Sequence, residues 1–113
     1  MKIVKDKISI DELKAMSKKM FGNLIKAVVD VEREIMAIDA ELHADEEAML
    51  LENGSKQKDL WGINIYPELT GEDSIEFDSM INLRPSQGNR ECGITDPVIR
   101  KKIIDVINKL IVK

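Results

Sequence analysis

Residues 81–91 read INLRPSQGNRE and bring four polar side chains close together in the chain: Arg84, Gln87, Asn89 and Arg90. The guanidinium groups of Arg84 and Arg90 can each donate two hydrogen bonds to a carboxylate or phosphate. The side chains of Gln87 and Asn89 add amide donors, so this set suits a small anionic ligand. A structural role explains the same residues, because a loop without regular strand pairing must form hydrogen bonds to its own backbone groups. We favour the structural interpretation and expect Arg84 to pair with a carboxylate of its own chain.

Two carboxylates precede this loop on a segment that alternates apolar and polar residues. Glu76 and Asp78 fall on its polar side, and antiparallel pairing with the preceding alternating segment places them near Asn64 and Gly62. Paired carboxylates perform acid–base chemistry, and Gly62 would leave open space for a substrate. We prefer the alternative, a solvated row of carboxylates that pairs with Lys or Arg, because exposed polar alternation is normal for such sheets.

The single histidine, His43, follows Glu41 and Asp39 at intervals of two residues. On a strand these three side chains share a face and can form the edge of a metal or acid–base site. We prefer a solvated polar face, since spacing without a partner strand defines no coordination geometry. The sequence contains no phosphate loop, no GxSxG, no HExxH and no paired-cysteine zinc pattern, so it predicts no particular cofactor.

The two ends of the chain carry the clearest helix signals. Ser9 and Glu12 have the spacing of a capping box, and Gly22 supplies a stop. Asp96 suits the cap of the last helix, and Pro97 suits its first position, where a missing N–H costs little. The apolar stripe of that last helix is Ile99, Ile103, Val106 and Leu110.

Residues 24–54 fit two structures. Good helix formers and apolar spacings of three and four favour one helix of about 30 residues, far longer than the usual length of about 10–14. A β-branched start and apolar–polar alternation favour strands. We predict a hairpin, with Val29 and Val31 on its buried face and Asp30 outside, followed by a short helix that Asp45 caps.

The remaining alternating segments, around Trp61 and Phe77, predict an antiparallel hairpin with Phe77 and Ile81 on its apolar side. Together these elements predict an α+β fold. It consists of an antiparallel β-sheet of about four strands, with amphipathic helices packed on one face and polar residues on the other. The length of 113 residues predicts a single domain, residues 1–113.

Charge and hydropathy argue against two classes of partner. The net charge of -4 and the isoelectric point of about 5.1 argue against nucleic acid as the main partner, because phosphate binding needs a positive surface. No apolar run approaches the roughly 20 residues of a membrane span, and the apolar stretch at the N-terminus is far too short for a signal peptide. With a single cysteine, this predicts a cytoplasmic protein without a membrane partner.

Long segments of the chain resemble a family of small prokaryotic proteins that is classed only as a domain of unknown function. The segments are ELHADEEAMLLENGSKQKDLWGINIYP, IEFDSMINLRPSQGNR and DPVIRKKI, and the resemblance runs from about Lys26 to Ile107. The family has no assigned activity, substrate or catalytic residues. The resemblance therefore implies a bacterial or archaeal cytoplasmic origin and gives no residue a role.

Two hypotheses about function stay open. The first is a binding or interaction module without catalysis of its own, with a homo-oligomer among its forms; the absence of catalytic motifs and the two amphipathic end helices support it. The second is a small enzyme or ligand-binding domain that acts on an anionic small molecule through the Arg84–Arg90 loop, near Glu76 and Asp78. The sequence does not decide between an enzyme and a binding module.

Overall fold

The structure is a computed structural model and describes residues 1–113. Its helices are α1 (Ile10–Met20), α2 (His43–Glu52) and α3 (Pro97–Leu110). Its strands are β1 (Lys2–Val4), β2 (Ile8–Ser9), β3 (Ile25–Asp30), β4 (Ile35–Ile38), β5 (Leu60–Ile65), β6 (Ile75–Glu76) and β7 (Ile111–Val112). None of the three helices has the length and apolar content needed to span a bilayer.

Five strands form one antiparallel sheet in the order β1-β4-β3-β5-β6, and β2 and β7 form a separate parallel pair. β3 lies in the middle, where Ala27 is opposite Ile38 of β4 and Ile63 of β5. The α+β class and the antiparallel sheet are therefore confirmed, with five strands instead of about four.

Both end helices begin at the predicted caps. The Ser9 hydroxyl accepts a hydrogen bond of 3.1 Å from the backbone N–H of Glu12. The Asp96 carboxylate accepts one of 2.8 Å from the backbone N–H of Val98, and Pro97 takes the first helical position. Each cap satisfies an N–H group that has no partner within its helix.

α1 and α3 pack on the same face of the sheet, as expected for the two end helices. Leu13 of α1 and Ile103 and Val106 of α3 are buried in one cluster with Trp61 and Ile63 of β5. This cluster is the larger of the two apolar cores, and its burial supplies most of the apolar area that the fold removes from water.

α2 covers the opposite face, so the prediction that the helices pack on one face is corrected. Leu50 of α2 is buried with Val28, Ala37 and Leu60, which point away from the larger core. The reason lies in the strands, because β3, β4 and β5 carry apolar side chains on both faces. The run IMAI at residues 35–38 is typical of a strand buried on both sides.

Residues 24–54 form the predicted hairpin and short helix rather than one long helix. The predicted strand does not continue through residues 39–42, because β4 ends at Ile38 and Asp39 has a φ of 69°. α2 then begins at His43 without a side-chain cap, so the prediction that Asp45 caps it is wrong.

Asp30 is buried at the end of β3, although alternation placed it outside. Its carboxylate accepts hydrogen bonds from the backbone N–H groups of Glu32 at 3.0 Å and Arg33 at 2.9 Å, and from the Ser55 hydroxyl at 2.7 Å. A carboxylate with three such donors is stable away from water. Asp30 thereby fixes the β3–β4 turn and ties it to the segment after α2.

The second strand predicted around Phe77 ends early. Pairing with β5 stops with β6, and Met80–Asn82 form a 3₁₀ turn. A Cβ atom on Gly62 would lie 2.6 Å from the Cβ of Ser79, so Ser79 fills the space that was expected to be open. Phe77 packs against the larger core and Ile81 against the smaller one, so the prediction that they share a face is wrong.

This close approach predicts that Gly62→Ala destabilises the fold. The added methyl group would overlap Ser79, and overpacking of this kind costs about 1–3 kcal/mol of unfolding free energy. Urea unfolding of Gly62→Ala, Ser79→Gly and the double variant measures it. We expect the alanine to cost less when Ser79 is already glycine. An equal cost in both backgrounds would contradict the packing described.

Candidate functional site

The guanidinium group of Arg84 forms its hydrogen bonds within the chain. The side chain is 8% exposed. Nε donates to the carbonyl oxygen of Ile81 at 2.9 Å, and the terminal nitrogens donate to the carbonyl oxygens of Gln57 at 2.8 Å and of Leu60. Three carbonyls from two segments therefore hold the group in one orientation.

Arg84 also contacts a side chain of the larger core, Trp61, and a carboxylate of α2, Glu47. Its guanidinium carbon lies 4.6 Å from the ring centre of Trp61, and a terminal nitrogen lies 3.5 Å from a carboxylate oxygen of Glu47 in α2. Burial lowers the pKa of Arg84, and the Glu47 carboxylate opposes that shift. These contacts agree with the expectation that Arg84 pairs within its own chain.

The side chains of Asn82 and Asn89 form further hydrogen bonds within the same loop and to β5. The Asn82 side chain accepts from the backbone N–H of Gly62 at 2.8 Å and donates to its carbonyl oxygen at 2.9 Å, as a neighbouring strand would. Asn89 donates to the carbonyl oxygen of Asn82 at 2.7 Å and accepts from the backbone N–H of Thr95 at 3.1 Å. Asn82 was not among the residues that the sequence singled out, because alternation placed it on a solvated face.

The remaining two loop residues lie at the surface. Gln87 donates to the carbonyl oxygen of Lys58 at 3.3 Å, and Arg90 is exposed and forms no ion pair. The predicted set of four thus divides into Arg84 and Asn89, which are buried and bonded within the chain, and Gln87 and Arg90, which face solvent. The four side chains do not converge on one point.

Two other predicted residues, Asn64 and Glu76, do come together, where β5 pairs with the edge strand β6. Asn64 donates from Nδ2 to Glu76 Oε1 at 2.8 Å, and the Tyr66 hydroxyl donates to the same oxygen at 3.1 Å. Burial raises the pKa of the Tyr66 hydroxyl, and its hydrogen bond to Glu76 raises it further. Asp78, two residues after Glu76, is exposed. These three residues, Asn64, Tyr66 and Glu76, are called the edge cluster below.

His43 opens α2 and is 8% exposed. Its Nε2 lies 2.7 Å from the carbonyl oxygen of Ile63, which only accepts, so Nε2 carries the proton and Nδ1 is an acceptor. Burial lowers the pKa of His43, so the ring is neutral at neutral pH. The strand-face trio with Glu41 and Asp39 does not form, because β4 ends before Asp39; no three His, Cys, Asp or Glu side chains lie together in an arrangement that holds a metal ion.

Glu46, which the sequence did not single out, is fully buried one turn after His43. Its Oε2 accepts from the backbone N–H of Ala40 at 3.2 Å, and its Oε1 has no hydrogen-bond partner. Burial raises the pKa of Glu46 to about 9, so the carboxyl group is protonated at neutral pH. A sequence signal for the burial of Glu46 was available, because the apolar Leu50 lies four residues later and so on the same face of α2.

A groove of about 620 Å³ runs between α3 and residues 66–77; nine of its 17 lining residues are apolar, and Glu72, Arg100 and Lys113 are charged. Proteins bind small molecules in clefts of about 300–1,000 Å³ that are lined mostly by apolar side chains. This cleft, called the α3 groove below, is walled mainly by Ile10, Ile75, Phe77, Ile104, Ile107 and Ile111. Five of these six side chains, all except Ile107, are partly open to solvent.

Arg100 lines the same groove and is held in place at its inner end. Its Nε donates to the carbonyl oxygen of Ile94, and its guanidinium carbon lies 5.0 Å from the ring centre of Phe77. Its terminal nitrogens donate to no group of the chain, and no carboxylate pairs with it. Arg100 was not among the residues that the sequence singled out. Its position in the groove could have been inferred from Ile104 and Ile107, which follow Arg100 at helical spacing and form a second apolar stripe on α3.

The buried carboxyl group predicts an unusual pH dependence. Between pH 4.5, the ordinary pKa, and about pH 9, unfolding releases the proton of Glu46, so the free energy of unfolding falls as pH rises. The slope approaches about 1.4 kcal/mol per pH unit. Urea unfolding at pH 5 and pH 8 should show Glu46→Gln gaining stability relative to the wild type at the higher pH. Glu52→Gln, at the exposed end of α2, is the control; equal pH slopes for wild type and Glu46→Gln would contradict the expectation.

A family model described as a protein of unknown function, DUF5674, matches residues 2–110. No curated protein and no solved structure matches the chain. The family match spans nearly the whole sequence and confirms the resemblance to a domain of unknown function. The chain therefore belongs to the DUF5674 family.

Proposed function

We propose that this domain is a binding module for a small amphipathic molecule, whose apolar body lies in the α3 groove and whose anionic group binds Arg100. The observation that carries the proposal is the state of Arg100. Its inner end is fixed by Ile94 and Phe77, while its terminal nitrogens remain free to donate. A guanidinium already held in one orientation loses little conformational freedom when it binds an anion.

The walls of the groove support an apolar ligand body. Ile75 and Phe77 on one side and Ile104 and Ile111 on the other line the groove and are partly exposed. Scattered exposed apolar residues are ordinary, but a contiguous apolar cleft marks a place where a ligand or partner binds. The removal of this area from water would supply the affinity, and Arg100 would supply the orientation.

The Arg84–Arg90 loop, the earlier candidate for an anion site, offers less. A ligand there would have to displace the three carbonyls that already accept from Arg84, and it would leave the Glu47 carboxylate without its cation. An anion that binds the terminal nitrogens of Arg100 would displace no hydrogen bond or ion pair of the chain.

A cytoplasmic location is part of the same proposal, since the single Cys92 forms no disulfide.

Three eight-carbon probes that differ only in the head group test the proposal. Octanoate is anionic, octanol is neutral and octylammonium is cationic, and binding is followed by ¹H–¹⁵N NMR titration. We expect octanoate to bind most tightly, with shifts at Phe77 and Ile104. Arg100→Gln should weaken octanoate by about tenfold, which is about 1.4 kcal/mol, and leave octanol unchanged. Lys102→Gln makes the same charge change on an exposed site of α3 outside the groove and should have no effect.

Two outcomes would overturn this function. One is equal binding of octanoate and octanol that Arg100→Gln does not alter. The other is self-association through the groove, seen as a concentration-dependent sedimentation coefficient that Ile104→Glu abolishes. In that case the occupant is a second copy of the chain and the domain is a homo-oligomer.

A further inference from the structure

The α3 side chains that line the α3 groove form a single row along the helix axis. Arg100, Ile104, Ile107 and Asn108 recur at helical spacing, so they lie on one face of α3. Ile111 directly follows the helix and continues the row. At about 1.5 Å of rise per residue, the row extends about 16 Å from Arg100 to Ile111.

The two ends of this row differ in chemistry. At one end, Arg100 is held at Nε, and its terminal nitrogens are free to donate. At the other end, Ile111 is paired with Ile8 of β2, and this pairing brings Ile10, two residues after Ile8, to the same end of the groove. Ile10 and Ile111 are apolar and partly open to solvent. A ligand that covers the whole row therefore needs an anionic group at one end and an apolar group at the other.

The other two charged residues of the groove favour a ligand with one anionic group over a ligand with one at each end. Lys113 lines the groove but is exposed and forms no ion pair, so its side chain, unlike that of Arg100, would lose conformational freedom on binding an anion. Glu72 also lines the groove, and its negative charge repels a second anionic group.

We infer that the ligand of the α3 groove is an unbranched fatty carboxylate of about 12 carbons, with its carboxylate on Arg100 and its methyl end beside Ile10 and Ile111. An extended methylene chain advances about 1.3 Å per carbon, given C–C bonds of about 1.5 Å, so this chain matches the length of the row. A compact ligand would cover only part of the row and leave Ile10 and Ile111 in water. The inference rests on the proposed function and adds the length and shape of the ligand to it.

Undecanoate and 1-adamantanecarboxylate, which have the same number of carbons and the same charge, test the shape of the ligand. The first is an extended chain and the second a compact cage. We expect calorimetry to show that undecanoate binds at least about tenfold more tightly, because it removes more of the apolar row from water. In methyl NMR spectra, undecanoate should shift the signals of Ile104, Ile10 and Ile111, whereas the cage should shift only that of Ile104.

Octanoate, decanoate, dodecanoate and tetradecanoate, each below its micelle concentration, test the length. A fully buried methylene contributes about fourfold in affinity, and this groove is partly open to solvent, so we expect at least about twofold per methylene up to dodecanoate and a plateau beyond it. Ile111→Thr should weaken dodecanoate by about fivefold and leave octanoate within about twofold. Ile99→Thr makes the same substitution at a partly buried site of α3 outside the groove and should change neither.

The outcomes separate this inference from the proposed function. Octanoate binding that depends on Arg100, together with undecanoate that binds no more tightly than the cage, would overturn the inference and leave the proposed function standing. Equal affinities for octanoate and dodecanoate would do the same. Tighter binding of dodecanedioate than of dodecanoate would also overturn it, in favour of a second anionic group at Lys113. If no member of the series binds in a way that depends on Arg100, the proposed function fails and the inference fails with it.

Discussion

The structure depends on how the side of β5 that faces away from β3 is completed. β6 pairs with only the end of β5, so the backbone groups of Leu60 and Gly62 face an edge without a strand. Side chains take the strand's place, because Asn82 bonds both backbone groups of Gly62 and Arg84 donates to the carbonyl oxygen of Leu60. An unpaired edge invites association with other chains, and these two residues close it from within.

The α3 groove and the edge cluster both lie where the chain leaves this edge. Phe77 turns to the larger core and supports Arg100 in the α3 groove, while Glu76, the residue before it, accepts hydrogen bonds in the edge cluster. Consecutive residues of an extended segment point to opposite sides, so one short segment contributes to both. Tyr66 belongs to both.

Sequence patterns were sufficient where a local interaction determines structure. The caps at Ser9 and Asp96 and the β3–β4 hairpin depend on neighbours in the sequence, and the structure confirms them. Patterns failed where a distant group satisfies a polar side chain. Alternation placed Asn82 in solvent, yet it is buried because its partner Gly62 lies on another segment, 20 residues away. Alternation also misplaced Asp30, whose carboxylate combines two local backbone donors with the distant hydroxyl of Ser55. The free state of Arg100 likewise depends on contacts that spacing alone does not reveal.

Amide hydrogen exchange at Gly62 tests most directly whether side chains complete the edge of β5. The Gly62 N–H donates to Asn82 Oδ1, and we expect it to exchange as slowly as the β5 amides that pair with β3. Asn82→Ala should raise its exchange rate selectively while those other β5 amides remain protected. Rapid exchange at Gly62 in the wild-type protein, at the rate of an open sheet edge, would contradict the account.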